Sequence, residues 1–450
     1  MTRILIPSGA LGLGYDAEAL DRGIAAGPDI IAIDGGSTDS GPSYLGRGVS
    51  KYARSSTKAE WKGLVAARAR AGCPLVIGTA GTCGTDSMVD WMADITRECL
   101  TELGLSARIA TLKCEQAPAA MAAALREGRI TPLPAAPEVD AEGVAACSHI
   151  VALAGTEQIA AALETGAEIV IAGRTTDTAI IAALPLMRGD HAGAAWHGAK
   201  VGECGALCAT HPQTGVLQLD IDATGFTVAP LAPQAACTPQ TVAAHMLYEN
   251  SDPFILYEPG GHLDVTRATY TPQDSRTVRV EGAEWVPAPA YMVKLEGARR
   301  AGFQTILLTL VRDGRYVANI RDWCAQIEER HAARVAARMG LNAGDYRLEL
   351  RLIGVDATLG PLETAAPAAA EVGVLAIVTA ATQEAAQDIA KLLNPLVLHH
   401  PLTPQEDQPT FAFPFSPPEI DRGAAWEFCL NHVLRLDDPM SAFRLEVHDA

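Results

Sequence analysis

Basic residues are scarce in this 450-residue chain, which has 35 Lys and Arg against 53 Asp and Glu and a formal net charge of −18. A protein with this charge repels phosphate backbones and anionic lipid headgroups, so nucleic acids and membrane surfaces are not expected as partners. Apolar runs are also short, since none approaches the roughly 18 residues that a membrane-spanning helix needs. The first residues have no apolar stretch of the length that a signal peptide requires.

Dense cysteine clusters are missing as well, because the ten cysteines are spread from Cys73 to Cys429. A chain of this length buries enough surface to fold without disulfide bonds, so we expect reduced thiols and a cytoplasmic location. With 48% hydrophobic and 20% charged residues, the composition is that of an ordinary globular protein. Its size and apolar content favour a homo-oligomer.

Three widespread motifs do not occur in the sequence: G-x-x-x-x-G-K-[S/T], G-x-S-x-G and H-E-x-x-H. The glycines of residues 9–14 are similar to a dinucleotide-binding loop, but Tyr15 and Asp16 follow where the motif requires a further glycine. An NAD or FAD cofactor is therefore disfavoured. The sequence leaves open whether a divalent metal such as Mg or Mn takes part.

Short runs rich in β-branched residues recur through the first half of the chain, separated by stretches of helical character. The runs lie at residues 3–7, 29–34, 74–78, 108–113, 149–154 and 168–173. Strands that alternate with helices in this way are typical of βαβ units on a parallel sheet. We therefore predict an α/β domain over residues 1–200, with a doubly wound parallel sheet covered by helices on both faces.

The pattern changes near residue 200, where segments of alternating polarity replace the βαβ rhythm. Segments at 215–223, 277–282 and 346–355 indicate strands, and residues 316–339 have the apolar spacing of a long helix. We predict a second domain of mixed α+β type over residues 201–450. Within it, the Ala-rich segment 364–371 is expected to be a loop or a short linker.

Small and polar residues follow almost every predicted strand of the first half. Open α/β sheets bind ligands at this position, outside the carboxyl ends of the strands. Asp34 and Asp39 flank the turn after the second strand, and Asp177 follows the sixth. Carboxylates at such an edge suit proton abstraction next to a carbonyl or hydration of a double bond. The predicted catalytic acids, bases or metal ligands are Asp34, Asp39, Asp177 and Glu203.

The segment 79–85 follows the third strand and precedes a helix that begins near Asp86. Backbone N–H groups at a helix N-terminus bind anions, and this loop is predicted to hold a substrate carboxylate or a developing oxyanion. Its predicted binding residues are Thr79, Thr82 and Thr85. A helix N-terminus also lowers the pKa of a thiol, which leaves a nucleophilic Cys83 as an alternative.

Three further charged residues are predicted to bind the substrate: Arg174, Lys294 and Glu296. The guanidinium group of Arg174 suits a carboxylate, because two of its N–H groups can donate to the two oxygens. Lys294 and Glu296 lie two residues apart on a predicted strand and therefore point to the same face. For any one of these residues, a surface ion pair is the alternative explanation.

Several segments along the chain form a distinctive set. They are residues 34–46, 58–61, 74–86, 171–189, 203–208, 237–239, 247–254, 258–264, 293–298, 411–423 and 430–433. Together they resemble the acyclic terpene utilisation AtuA family, essentially from end to end. The resemblance implies an α/β fold and a role in the degradation of branched or terpenoid acids through coenzyme A thioesters. It assigns a verified catalytic role to no residue.

These observations predict a catabolic lyase of the hydratase or dehydratase type that acts on a small carboxylic acid or an acyl-CoA thioester by acid–base chemistry. Two alternatives stay open. One is a non-catalytic subunit of a complex that degrades acyl-CoA thioesters, and the other is an acyl transferase or hydrolase that uses Cys83. A scaffold has no reason to gather carboxylates and an arginine at the strand ends, which favours the lyase.

Overall fold

The computed structural model describes residues 1–365 and 369–450, so the centre of the Ala-rich segment, for which a loop or linker was expected, lies outside the described residues. The described chain forms two compact units. Unit 1 comprises Met1–Arg299 and Phe428–Ala450, and unit 2 comprises Arg300–Glu427. The change of pattern near residue 200 falls inside unit 1, and the domain boundaries expected from it stay a prediction.

Strands and helices alternate through the first part of the chain, as its sequence pattern predicts. The strands are β1 (Thr2–Ile6), β2 (Ile30–Asp34), β3 (Leu75–Gly78), β4 (Arg108–Lys113), β5 (Ile130–Pro132), β6 (His149–Ala152), β7 (Ile169–Ala172), β8 (Leu217–Ile221), β9 (Gly225–Pro230), β10 (Ile255–Glu258), β11 (Gly261–Asp264), β12 (Thr269–Pro272), β13 (Val278–Glu281), β14 (Glu284–Pro287), β15 (Tyr291–Val311), β16 (Tyr346–Ile353), β17 (Val372–Ala380), β18 (Glu419–Leu436) and β19 (Arg444–Asp449). The α-helices are α1 (Ala17–Ala25), α2 (Pro42–Arg47), α3 (Arg54–Ala71), α4 (Asp86–Leu103), α5 (Pro118–Arg126), α6 (Ala141–Ala145), α7 (Thr156–Glu164), α8 (Ala179–Met187), α9 (Ala192–Gly202), α10 (Pro239–Ala244), α11 (Gly314–Ala318), α12 (Ile320–Met339) and α13 (Gln383–His399). Short 3-10 helices lie at Thr38–Ser40, Gly205–Cys208, Pro212–Thr214, His245–Leu247 and Gly360–Leu362.

The main sheet of unit 1 has the strand order β12-β13-β9-β8-β1-β2-β3-β7-β4-β19. Its centre, from β1 to β4, is parallel. The strands on both sides of this centre are antiparallel to their neighbours. The predicted α/β class with parallel βαβ units is therefore confirmed, and antiparallel strands extend the sheet on both sides.

Helices cover both faces of this sheet. Successive residues of a strand point to opposite faces, and they enter two different apolar clusters. In β1, Ile4 and Ile6 belong to one core cluster and Leu5 to the other. Helices α3 and α4 pack on the face of Leu5, where Trp61 is fully buried, whereas α8 and α9 pack on the opposite face. Each central strand therefore needs apolar residues on both of its faces, because helices pack against both faces of the sheet.

The strand at residues 149–154 differs from expectation in its partner. It forms β6, but β6 is outside the main sheet and pairs antiparallel with Leu295–Ala298 of β15. A short apolar run predicts a strand without specifying its neighbour, because pairing depends on residues far away in the chain. The pairing holds this part of β15, with Lys294 and Glu296, beside the loops that follow the parallel strands.

Unit 2 is an α+β structure in its own right. Strands β16 and β17 pair antiparallel, and β17 also pairs with residues 303–311 of β15. Helices α12 and α13 pack on this sheet around Trp323, which is fully buried. The long helix predicted over 316–339 is broken near Asn319, so that α11 and α12 follow each other there. Within the described parts of both units, no helix combines the length and the apolarity that crossing a membrane would take.

Candidate functional site

A pocket of about 490 Å³ opens in unit 1 where the parallel strands β1, β2, β3 and β7 end. The loops after these strands contribute to its wall, as is usual for ligand sites in α/β sheets. The lining side chains that can ionise or form hydrogen bonds are Ser8, Asp34, Ser37, Asp39, Ser40, Lys51, Tyr52, Thr82, Asp177, Cys204, Gln213, Tyr248 and Glu249. Four of the residues predicted from the sequence share this pocket: Asp34, Asp39, Thr82 and Asp177.

Asp34 is the last residue of β2, and only 5% of it is exposed. Its Oδ2 accepts a hydrogen bond from the backbone N–H of Gly36 at 3.0 Å, whereas Oδ1 is buried and has no hydrogen-bond partner in the described chain. Burial, and next the negative charge of Asp177, raise the pKa of Asp34 well above its usual value, against the charge of Arg174. Asp34 therefore keeps its proton to a higher pH than an ordinary aspartate.

Asp177 lies on the loop that follows β7 and lines the same pocket. Its Oδ1 is 3.9 Å from Nη1 of Arg174. Burial raises the pKa of Asp177 to about 6, the positive charge of Arg174 opposes this rise, and the charge of Glu249 adds to it. Asp34 and Asp177 are thus two carboxyl groups of different environment in one pocket, each able to influence the titration of the other. Asp39, by contrast, is exposed at the pocket wall.

A buried carboxylate holds Arg174 behind the pocket wall. Nε and Nη2 of Arg174 donate to the two carboxylate oxygens of Glu296, at 3.0 and 3.3 Å. Thr38 Oγ1 and Lys294 Nζ also donate to Glu296, at 2.7 and 3.0 Å, and Nη1 of Arg174 donates to Thr79 Oγ1. Although burial favours its neutral form, the charges of Arg174 and Lys294 lower the pKa of Glu296 to about 2.

This arrangement gives the three predicted binding residues a different place from the one expected. Arg174 and Lys294 both bind Glu296, and none of the three is among the pocket-lining residues. The contact between Lys294 and Glu296 agrees with their spacing on one face of a strand. Arg174 therefore acts on Asp34 and Asp177 through its charge, and its guanidinium donors are directed to protein groups.

Glu203 is also buried behind the wall, at the end of α9. Lys200, which is only 2% exposed, donates hydrogen bonds to the Glu203 carboxylate and, at 2.6 Å, to the carbonyl oxygen of Tyr248. Burial raises the pKa of Glu203 to about 8, against the charge of Lys200. Because Tyr248 lines the pocket, this buried pair fixes part of the wall rather than contacting a ligand.

Glu258, at the end of β10, is a further carboxyl group close to Asp177. It accepts a hydrogen bond from Thr178 Oγ1, and its Oε2 has no hydrogen-bond partner in the described chain. Burial raises the pKa of Glu258 to about 7, and the charge of Asp177 adds to the rise. Several carboxyl groups on this side of unit 1 thus titrate near neutral pH.

The loop over residues 79–85 uses most of its backbone donors within the protein. The N–H groups of Thr79, Ala80, Thr82 and Gly84 all donate to backbone carbonyls. The N–H of Asp86, at the start of α4, donates to the Glu115 carboxylate at 3.0 Å. The anion expected at this helix N-terminus is therefore supplied by the protein itself.

The threonines of this loop have separate structural roles. Thr79 and Thr82 have φ angles of 46° and 77°, a region that β-branched residues seldom adopt and that is typical of functional loops. Thr82 lines the pocket and accepts a hydrogen bond from the backbone N–H of Lys51 at 3.2 Å. Thr79 supports Arg174, and Thr85 is the fully buried N-cap residue of α4.

Of the two cysteines in this region, Cys204 and not Cys83 lines the pocket. Cys83 is fully buried against Leu45 and Met88, and burial raises the pKa of its thiol. Cys204 is partly exposed, but burial raises its pKa also. Neither thiol has the lowered pKa of a catalytic nucleophile.

Lys51, Tyr52, Tyr248 and Glu249 are among the pocket residues that the sequence did not indicate. They lie outside the strand-end loops, so the βαβ rhythm gives no signal for them. Lys51 Nζ donates to Ser40 Oγ at 2.9 Å and is the cation among the lining residues. Glu249 has a φ of 49°, which brings an acidic side chain to the wall from a turn.

The glycine-rich loop after β1 holds a carboxylate of the protein. The backbone N–H groups of Gly12 and Gly14 donate to Oε2 of Glu60 on α3, at 2.8 and 3.2 Å. Gly12 packs closely on the Tyr52 ring, since a Cβ at this position would lie 2.8 Å from it. In the part of the chain that the structure describes, no three His, Cys, Asp or Glu side chains are grouped to hold a metal ion.

A family model described as "Acyclic terpene utilisation family protein AtuA" matches residues 50–412, which is most of the 450-residue chain. Asp177 and Glu203 lie within the matched region, whereas Asp34 precedes it. No curated protein and no solved structure matches the chain.

Proposed function

The chain belongs to the acyclic terpene utilisation AtuA family, whose name implies a catabolic role, and we propose that it is a lyase of the hydratase or dehydratase type. Its substrate is a small carboxylic acid or an acyl-CoA thioester. The observation that carries the proposal is the presence of Asp34 and Asp177 in one pocket, at the ends of two parallel strands.

The two carboxyl groups take opposite roles because their surroundings separate their proton affinities. Asp177, with a pKa of about 6, is the base that removes a proton from the carbon next to the carbonyl group. Asp34 is the acid that donates a proton to the departing hydroxyl group, which leaves as water. Hydration of the double bond is the same sequence in reverse.

Lys51 is the residue that we assign to the substrate carboxylate or thioester carbonyl, because it is the cationic residue among those that line the pocket. In the structure this group contacts Ser40 Oγ, a neutral partner that an anionic ligand can replace. Arg174 takes a positioning role instead. Its charge favours the ionised form of Asp177 and moderates the pKa of Asp34.

Exchange of the proton next to the carbonyl group with solvent tests the proposal. It reports proton removal even when no water is eliminated. The purified protein is incubated in D₂O with a panel of hydroxy acids, unsaturated acids and their thioesters, and deuterium uptake next to the carbonyl is followed by NMR. We expect uptake with at least one compound and a loss of about 100-fold or more in Asp177→Asn. Asp34→Asn should block water elimination while retaining part of the exchange.

An exposed aspartate provides the control, since Asp94→Asn on the surface of α4 should exchange like the unaltered protein. Unchanged exchange and elimination in both pocket variants would contradict the proposal. A chain that is inert on the whole panel but co-purifies with acyl-CoA-degrading enzymes would instead support a non-catalytic subunit.

A further inference from the structure

Two cysteines that take no part in the pocket lie side by side in the core of unit 1. Cys147 follows α6, and Cys429 lies in β18, 282 residues further along the chain. Their sulfur atoms are 2.8 Å apart, and the two residues are 6% and 3% exposed. This contact is between two thiols brought together by the fold and not by neighbouring positions in the sequence.

Regular structure on both sides holds the two thiols in place. Residues 432–434 of β18 pair with β5, and Leu430 packs against Gly297, where an added Cβ would lie 2.8 Å from its side chain. On the other side, the Ser148 N–H donates to the carbonyl oxygen of Ala298 at 2.9 Å. Backbone pairing on both sides therefore fixes the positions of the two cysteines.

We propose that Cys147 and Cys429 are a site of covalent modification, at which hydrogen peroxide converts the two thiols into a disulfide. The contact with Cys429, and next burial, raise the pKa of Cys147, so the attacking thiol gives up its proton during the reaction itself. One sulfur attacks a peroxide oxygen, the O–O bond breaks, and the hydroxide that leaves takes up the thiol proton as the sulfenic acid forms. The second sulfur then attacks the sulfenic sulfur, the S–O bond breaks, and a second water leaves. Two thiols lose two electrons in total, and one peroxide is reduced to two waters.

The disulfide fastens the segment 428–450 to the rest of unit 1. That segment returns to unit 1 from unit 2 and supplies β19, so in the reduced protein it is held by non-covalent contacts with residues far away in the chain. A cross-link that closes so long a loop restricts the unfolded chain and stabilises the folded one. The modification is independent of the proposed lyase activity, because neither cysteine lines the pocket.

Peptide mapping of the full-length protein tests the proposal. The reduced protein is treated with hydrogen peroxide, alkylated and digested, and linked peptides are identified by mass spectrometry. We expect the peptides of Cys147 and Cys429 to be joined, with the mass of two hydrogens lost and recovered on reduction. The midpoint of thermal unfolding should rise by several degrees on oxidation, and this rise should be absent in Cys147→Ser.

Cys324→Ser is the matched control, because Cys324 has the same exposure of 6% but lies in unit 2. It should leave both the link and the rise in the midpoint unchanged. Cys208 also has a cysteine partner, Cys237, so the digest must separate the two pairs. A link confined to Cys208 and Cys237, or oxidation to sulfinic acid without a link, would overturn the proposal. An unchanged midpoint in the linked protein would also overturn the inferred constraint. Mapping of the unaltered chain decides the point even if a variant fails to fold.

Discussion

Arg174 and Glu296, 122 residues apart in the sequence, are joined by two hydrogen bonds between buried groups, Nε to Oε2 at 3.0 Å and Nη2 to Oε1 at 3.3 Å. Both side chains are less than a tenth exposed. The pair lies behind the pocket wall. The charge of Arg174 lowers the pKa values of Asp34 and Asp177, and the charge of Glu296 raises that of Asp177.

Replacement of Glu296 should destabilise the protein strongly. Glu296→Ala leaves the Arg174 guanidinium buried without its carboxylate, and breaking a buried ion pair in this way costs about 3–5 kcal/mol. The exposed pair of Glu127 and Arg129 provides the comparison, since Glu127→Gln should cost less than about 1 kcal/mol. Chemical unfolding of both variants measures the difference, and equal losses would show that the buried pair has no special role.

Stability should fall as pH rises toward 8, and Glu203 should account for part of this fall. Burial raises the pKa of Glu203 to about 8, so in this range the folded chain binds more protons than the unfolded chain. The free energy contributed by such a group is greatest below its unfolded pKa of about 4.3 and is lost as pH rises through the folded value. Glu203→Gln does not titrate, so its unfolding midpoint should decline less between about pH 5 and pH 8.

The exposed Glu164 is the control for this measurement, since Glu164→Gln should follow the profile of the unaltered protein. Part of the slope should survive in Glu203→Gln, because Glu258 titrates in the same range. A profile that is identical in Glu203→Gln and in the unaltered protein would contradict the assignment.

Alanine at Gly84 should be far more damaging than alanine at Gly104, although both glycines have a φ of 64°. A Cβ at Gly84 would lie 2.2 Å from the backbone nitrogen of Arg174, whereas a Cβ at Gly104 has nothing within 4 Å. Gly104→Ala should therefore cost only the conformational penalty of roughly 1–2 kcal/mol. Thermal unfolding of the two variants separates the steric from the conformational contribution, and similar midpoints would refute the close approach.

Cys204 should be the first thiol to react with a small alkylating reagent in the folded protein. It is partly exposed in the pocket wall, whereas Cys83 is fully buried. The reaction should be slower than that of a free thiol because burial raises the pKa of Cys204. Mass spectrometry after timed labelling identifies the site, and fast labelling of Cys83 would support the hypothesis of a cysteine nucleophile.

The sequence predicts the central strands well because each is a short apolar run with helices on both faces. It could not predict that β6 pairs with β15, because the pairing joins residues more than a hundred positions apart. The antiparallel strands at both sides of the main sheet could not be predicted for the same reason. Alternating polarity indicates that β8 is a strand, but only the folded chain shows β1 beside it.

The sequence predicts the residues of the candidate site that lie in loops after strands, and it does not predict the others. Asp34 and Asp177 can be chosen because Asp34 ends one apolar run and Asp177 lies in the loop after another. The sequence indicates Arg174 as a substrate-binding residue because it does not show that the guanidinium group donates its hydrogen bonds to Glu296. Lys51 and Tyr248 lie on connections without a strand pattern, so nothing local marks them.

The edge of β4 that faces away from β7 affects how the protein folds during translation. Its hydrogen-bonding partner on that side is β19, and these two strands are separated by β5 to β18. During translation the ribosome has to synthesise all of unit 2 before this edge can be paired, and an open edge invites pairing with other chains. In the nascent chain this edge should therefore stay unpaired until residues 444–449 have left the exit tunnel.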